Sequence, residues 1–166
     1  NIYPTYEVYK ARGELFYSIE KYKDAVKDFT RGIKIDNDED LLLYYFRGQS
    51  RYWLDKDTLA LKDFESVNIE EFAEYYPEHM PDYYYYKGTT KYYLEKYESA
   101  ASDLEKSIAI TDTNPNAFYQ LGRTYIKLEK FEEGKNTYNK VIKLFPNSEY
   151  LNKDLGICYF ELGDYQ

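Results

Sequence analysis

The chain has little with which to do chemistry. Its 166 residues include one cysteine, Cys158, and one histidine, His79. A single cysteine excludes an internal disulfide and a cysteine-based metal site, and a single histidine excludes a His–His metal pair within the chain. A Ser-His-Asp or Cys-His arrangement would have to draw on His79 alone. That residue sits in the proline-bounded stretch "YPEHMP" and reads as an exposed loop histidine. The eight glycines never cluster, so no phosphate-cradling loop exists. The acidic pairs Glu70-Glu71 and Glu132-Glu133 are sequence neighbours, which on a helix point in different directions. No catalytic residues, no cofactor and no metal are expected.

Positive charge is also scarce. Lys and Arg number 22 against 30 Asp and Glu, a net charge of -8, which argues against nucleic acid because phosphate neutralisation needs clustered basic residues. No apolar run reaches membrane-spanning length, so no membrane span is expected. The charge is uneven. Residues 36–82 carry 13 acidic and 4 basic side chains, whereas residues 115–148 carry 3 acidic and 6 basic ones. Such asymmetry can orient a charged partner, although solvated helix faces account for most of these residues.

What the chain has in excess is tyrosine: 23 residues, four of them consecutive at Tyr83–Tyr86. Their spacing belongs to a repeat. The string "IEKY" at Ile19–Tyr22 returns as "LDKD" at Leu54–Asp57, "LEKY" at Leu94–Tyr97, "LEKF" at Leu128–Phe131 and "LGDY" at Leu162–Tyr165. Six residues before each stands a glycine: Gly13, Gly48, Gly88, Gly122 and Gly156. Four before the glycine come Tyr9, Tyr44, Tyr84 and Phe118, with Asn152 the exception. Twelve after it come the small residues Ala25, Ala60, Ala100 and Gly134, and sixteen after it the bulky Phe29, Phe64, Leu104 and Tyr138. These offsets describe two amphipathic helices joined by a tight turn. A mid-helix glycine costs about 1 kcal/mol relative to alanine, so its recurrence implies close approach of the paired helix.

This pattern resembles the tetratricopeptide repeat, a helix-turn-helix unit of 34 residues. Asn114–Asn147 matches best, with Phe118, Leu121-Gly122, Tyr125, Gly134, Tyr138 and Pro146 in the family's places. The resemblance runs from about Thr5 to the end of the chain. It implies an all-α fold, a right-handed α-solenoid of antiparallel helix pairs. The repeats would span about 6–39, 41–80, 81–114 and 115–148 of a single array, with a half repeat at 149–166. Arg12, Arg47 and Lys87 depart from the family by standing where it often has Leu. Arg51 and Lys91 replace its usual aromatic. The interval from Gly48 to Gly88 is six residues too long, and the surplus falls in "SVNIEEFAEYYPEHMPD". Asn68 with Glu71 reads as a capping box, and the extra turns read either as an extension of the second repeat's second helix, the reading preferred, or as a short separate helix. The face of "LGICYFEL" in the half repeat expects a further helix or another molecule.

By the same resemblance, the first helices line a concave groove that receives an extended peptide or a partner helix. The residues implied are Lys10, Tyr17, Tyr45, Gln49, Tyr52, Trp53, Tyr85, Thr89, Tyr92, Tyr93, Tyr119, Arg123 and Lys127. Tyr84 is assigned to the core, Tyr83 and Tyr86 to flanks between repeats, and Tyr97 to packing in the turn. Tyr and Trp suit interfaces because they offer large contact area at low entropic cost. Tyrosines at helical spacing equally serve as packing, so the rings divide between core and groove. The carboxylate clamp of some such modules is not assembled, since Glu14 and Phe46 occupy two of its places beside Lys10. Arg123 and Lys127, four apart, could hold a carboxylate or phosphate, or form a solvated helix face. The function expected is a non-catalytic protein-interaction scaffold with a protein or peptide partner. The alternatives are a carbohydrate-associated module, a regulatory module of a larger protein, and self-association through the C-terminal half repeat.

Overall fold

The structure, a computed structural model, describes residues 5–36, 40–144 and 149–163. Pro146 and Tyr165, which the repeat pattern singles out, lie outside them. Every regular element among the described residues is helical. The chain divides into two compact units, Asn1–His79 and Met80–Gln166. The first holds α1 (Tyr6–Ser18), α2 (Tyr22–Asp36), α3 (Leu41–Tyr52), α4 (Asp57–Glu65), α5 (Ile69–Tyr75) and a 3-10 turn (Pro77–His79). The second holds α6 (Met80–Tyr93), α7 (Tyr97–Ile110), α8 (Pro115–Lys127), α9 (Phe131–Leu144) and α10 (Glu149–Leu162). Within each unit successive helices stack on one another, α1 to α4 in the first and α6 to α10 in the second.

The recurring tetrapeptide is the turn between paired helices. Its second residue adopts the left-handed conformation four times, at Glu20, Asp55, Glu95 and Glu129, with φ between 55° and 60°. The following lysine N–H donates back to the carbonyl five residues earlier, as Lys21 to Phe16 at 2.8 Å and Lys56 to Arg51 at 2.9 Å. Lys96 to Lys91 and Lys130 to Tyr125 repeat the bond at 2.9 Å. This Schellman closure satisfies carbonyls that a helix end would orphan, and it offsets the cost of a left-handed non-glycine residue. The fifth string places Gly163 there, at φ 71°.

The mid-helix glycines do what their spacing implies. The side chain sixteen residues on lies directly against each one: Phe29 on Gly13, Phe64 on Gly48, Leu104 on Gly88 and Tyr138 on Gly122. A methyl group at Gly122 would fall 2.3 Å from the Tyr138 ring. Ala25, Ala60 and Ala100 are wholly buried beside these contacts.

The departures from the repeat pattern are charge pairs. Asp28, Asp63 and Asp103 stand fifteen residues after the glycine and are buried. Arg12 Nη2 donates to Asp28 at 2.8 Å, Arg47 Nη2 and Arg51 Nη1 meet Asp63 at 2.7 and 2.6 Å, and Lys91 Nζ meets Asp103 at 2.6 Å. Arg12, Arg47, Arg51 and Lys91, in places where the repeat prefers an apolar residue, are thus each answered by an anion on the paired helix, whereas Lys87 meets the Tyr83 hydroxyl of its own helix at 3.0 Å. The cations also cap the aromatic row four before the glycine. Arg12 and Arg31 lie over Tyr9, Arg47 over Tyr44 and Lys106 over Tyr84, 5.2–5.8 Å from the ring centres. Tyr84 is consequently half-buried rather than core, and its neighbour Tyr83 is the fully buried ring.

The surplus residues form a separate helix, which corrects the extension expected from sequence. α4 ends at Glu65, and Asn68 takes an extended conformation (ψ 109°) whose side chain accepts the Glu71 N–H at 3.3 Å. An N-cap backbone is non-helical, so the cap that starts α5 is what prevents α4 from continuing.

Cys158 is buried with Phe118, Tyr138 and Val141. Burial, and next Asp154, pushes its thiol up to about 11. At about pH 8 the native thiol should therefore react with a disulfide reagent about two orders of magnitude more slowly than the urea-unfolded chain. Equal rates would show that the α9–α10 packing opens freely.

Candidate protein-interaction surfaces

Each unit presents its own aromatic face. In the first, Tyr17 meets Tyr22 edge-on at 5.7 Å, and Tyr22 stacks nearly parallel on Trp53 at 5.9 Å and 13°. Tyr52 stands edge-on to Trp53 at 5.3 Å, and Trp53 remains 48% exposed. The turn between α1 and α2 brings Tyr17 to Tyr22, and the turn after α3 leaves Trp53 at the helix end. Lys10 is held by Asp40 at 2.7 Å, whose carboxylate also caps α3 through the Leu42 N–H. Gln49 is buried.

Tyr45 lies elsewhere than an open groove. It is 1% exposed, covered by Phe72 of α5 at 5.2 Å and by the His79 ring at 5.1 Å. His79 also meets Phe46 at 5.7 Å. It is therefore a packed residue, not the exposed loop histidine its proline-bounded setting suggests. Sequence reading passed over Phe72 and Tyr76 and took His79 for an exposed loop residue. The signal was present in the six surplus residues and in aromatics at i, i+4 and i+7 after the Asn68 cap.

In the second unit Tyr92, Tyr93, Tyr119 and Arg123 come together. The Arg123 guanidinium sits 5.1 Å from the Tyr92 ring centre and 5.6 Å from that of Tyr119. Tyr93 stands edge-on to Tyr92 at 5.6 Å and is 51% exposed. Tyr97 meets Tyr92 at 5.5 Å and 64°, the geometry that Tyr22 adopts toward Tyr17. Burial pushes the Tyr92 phenol up, against the pull of the Arg123 charge. Lys127, one turn beyond Arg123, is exposed, and Thr89 is buried. Tyr85 is not part of this group. It packs against the Ala101–Leu104–Leu121 cluster and edge-on to Tyr86 at 5.1 Å.

The pairing of the arginines is unequal. Arg12 and Arg31 share Asp28, and Arg47 and Arg51 share Asp63. Among the described residues no carboxylate reaches ion-pairing distance of Arg123, which two tyrosine rings hold instead. Also among the described residues, no cluster of His, Cys, Asp and Glu suits a metal ion, and no helix is long and apolar enough to cross a membrane.

The helix pairs, their repeated turn and the glycine contacts define an α-helical repeat protein, and comparison with known proteins agrees. A crystal structure of YrrB, described as a TPR protein with an unusual peptide-binding site, superposes with a TM-score of 0.83 at 17% identity, over 96% of this chain and 78% of that one. A crystal structure of MamA gives 0.82 at 16% identity, over 95% and 82%. MamA (41-end) from Desulfovibrio magneticus RS-1 gives 0.79 at 20% identity, over 99% and 89%. The family model for anaphase-promoting complex, cyclosome, subunit 3, which is of the same repeat type, matches residues 68–141. No curated protein sequence matches significantly. The chain thus has the fold of the tetratricopeptide-repeat proteins.

Proposed function

We propose that the chain is a non-catalytic scaffold that binds an extended peptide or a partner helix, and that Arg123 receives a carboxylate of that partner. The fold supports the general reading, since proteins of this architecture expose helix faces on which a peptide can lie. Arg123 carries the finer one. A guanidinium fixed over aromatic faces has already lost much of its side-chain freedom, and its in-plane donors stay open to a carboxylate. Tyr93 and Lys127 supply an exposed ring and a second positive charge beside it. The net positive charge of residues 115–148 favours approach of an anionic segment.

A displayed random-peptide library selected on the wild-type chain, with the enriched peptides then titrated against wild type and Arg123→Met, tests this directly. Enriched peptides should carry Asp, Glu or a free C-terminus. A charge-assisted hydrogen bond contributes about 1.5–3 kcal/mol, so Arg123→Met should weaken them about tenfold to a hundredfold. Binding should also weaken as salt rises. Peptides that bind both proteins equally would sink the assignment of Arg123 and leave the general scaffold reading standing. One observation favours the carbohydrate reading, the exposed Trp53 stacked on Tyr22 as a flat platform; glycan-array binding abolished by Trp53→Ala would support it.

A further inference from the structure

We propose that residues 68–79 occupy a second recognition face, on the first unit, in the way a bound peptide would. The partner that face accepts is a short helix with aromatic side chains at i, i+4 and i+7. The occupant shows the chemistry. Phe72, Tyr76 and His79 have that spacing; Phe72 and His79 lie on the side of α3 that carries Tyr45 and Phe46, and Tyr76 packs against both of them. Phe72 is wholly buried, Tyr76 lies 5.4 Å from it, and His79 closes the far end. The other side of α5 makes no use of the face: Glu70, Glu71 and Glu74 are exposed, as is Tyr75 at 62%.

Comparison within the chain identifies this segment as an occupant rather than as a part of the repeat. Tyr45, Tyr85 and Tyr119 hold one register, three before the glycine, yet only Tyr45 is fully buried. The residues that bury it lie in the stretch by which the second interval exceeds the others. A seven-residue helix is too short to persist by itself in water, so α5 holds its shape through docking. Release of the segment would return Tyr45 to the half-open condition of Tyr85 and Tyr119. This inference stands apart from the Arg123 reading, which concerns the other unit and a different contact chemistry.

The test is complementation in trans. A fluorescein-labelled peptide of residues 68–80 is titrated against the full chain and against the full-length triple variant Phe72→Ala/Tyr76→Ala/His79→Ala. Wild type, already occupied, should bind at least about tenfold more weakly than the variant, and adding Tyr45→Ala should remove the gain. A variant with native far-UV circular dichroism that fails to bind the peptide would overturn the proposal, as would equal binding to both proteins. Hydrogen exchange of the wild-type chain decides the matter if the variant does not fold. Amides of 72–76 should then exchange through local opening while those of α3 stay protected. Exchange of both segments only on global unfolding would show that α5 is ordinary core. A mass that doubles with concentration in wild type but not in the variant would reveal the same face filled by the segment of a second copy, and would support it.

Discussion

Asp63→Ala is expected to destabilise the first unit by about 3–5 kcal/mol, among the largest losses any single substitution here should produce. The carboxylate is 1% exposed and answers two guanidinium groups, Arg47 at 2.7 Å and Arg51 at 2.6 Å, both themselves largely buried. Burial already draws the Arg51 guanidinium below its ordinary value, opposed by the attraction of Asp63. Removing the anion leaves two like charges in a low-dielectric space with nothing to balance them. Urea unfolding of the purified variant measures the loss. The companion change Arg47→Leu/Arg51→Tyr/Asp63→Thr should recover most of it, because apolar groups of suitable size replace buried ion pairs at little net cost. The fourth helix pair already has that composition at the same registers, with Leu121, Tyr125 and Thr137. A loss below about 1 kcal/mol for Asp63→Ala would mean that water reaches the triad and that it behaves as a surface pair.

Gly122→Ala and Gly156→Ala occupy one register and should have opposite effects. At Gly122 the added methyl meets the Tyr138 ring at 2.3 Å. That ring is wholly buried, and its hydroxyl donates to Asp154 at 3.3 Å, so it has little room to withdraw. Overpacking of this kind costs about 1–3 kcal/mol, more than the gain of about 1 kcal/mol in helix propensity. At Gly156 the added methyl meets nothing within 4 Å among the described residues, so only the propensity gain remains, and Gly156→Ala should stabilise α10 by up to about 1 kcal/mol. Thermal unfolding of the two variants beside wild type gives both signs. Destabilisation at Gly156 would show that the glycine faces a close neighbour in solution.

The contrast between these two glycines shows where sequence reading succeeds. The glycine, the small residue twelve on and the bulky residue sixteen on recur because each repeat solves the same local packing problem. Periodicity exposes such a solution without coordinates. The turns were visible for the same reason, although the string alone does not reveal that its acidic second residue is left-handed. Arg12, Arg47 and Arg51 appeared only as departures from the pattern. Their partners do not show in the sequence, since Asp28 and Asp63 look like ordinary polar helix residues until the paired helix is laid against them.

The candidate surface was less legible, and its residues mark the boundary. Tyr92, Tyr93, Tyr119 and Arg123 follow from register, but register does not say that the guanidinium lies over two rings with no carboxylate among the described residues in ion-pairing distance. Tyr45 was named by the same rule, yet it is closed off by Phe72 and His79, which sit 27 and 34 positions later in the chain. By itself the sequence determined the helix pairs, their turns and their contact glycines. Only the tertiary structure decided which helix faces are covered and which charges are answered. The repeat is set by contacts between neighbours at a constant spacing, which leave a period in the sequence. The covering of Tyr45 and the pairing of Asp63 depend on side chains that meet once, across elements, and a contact made once leaves no period to read.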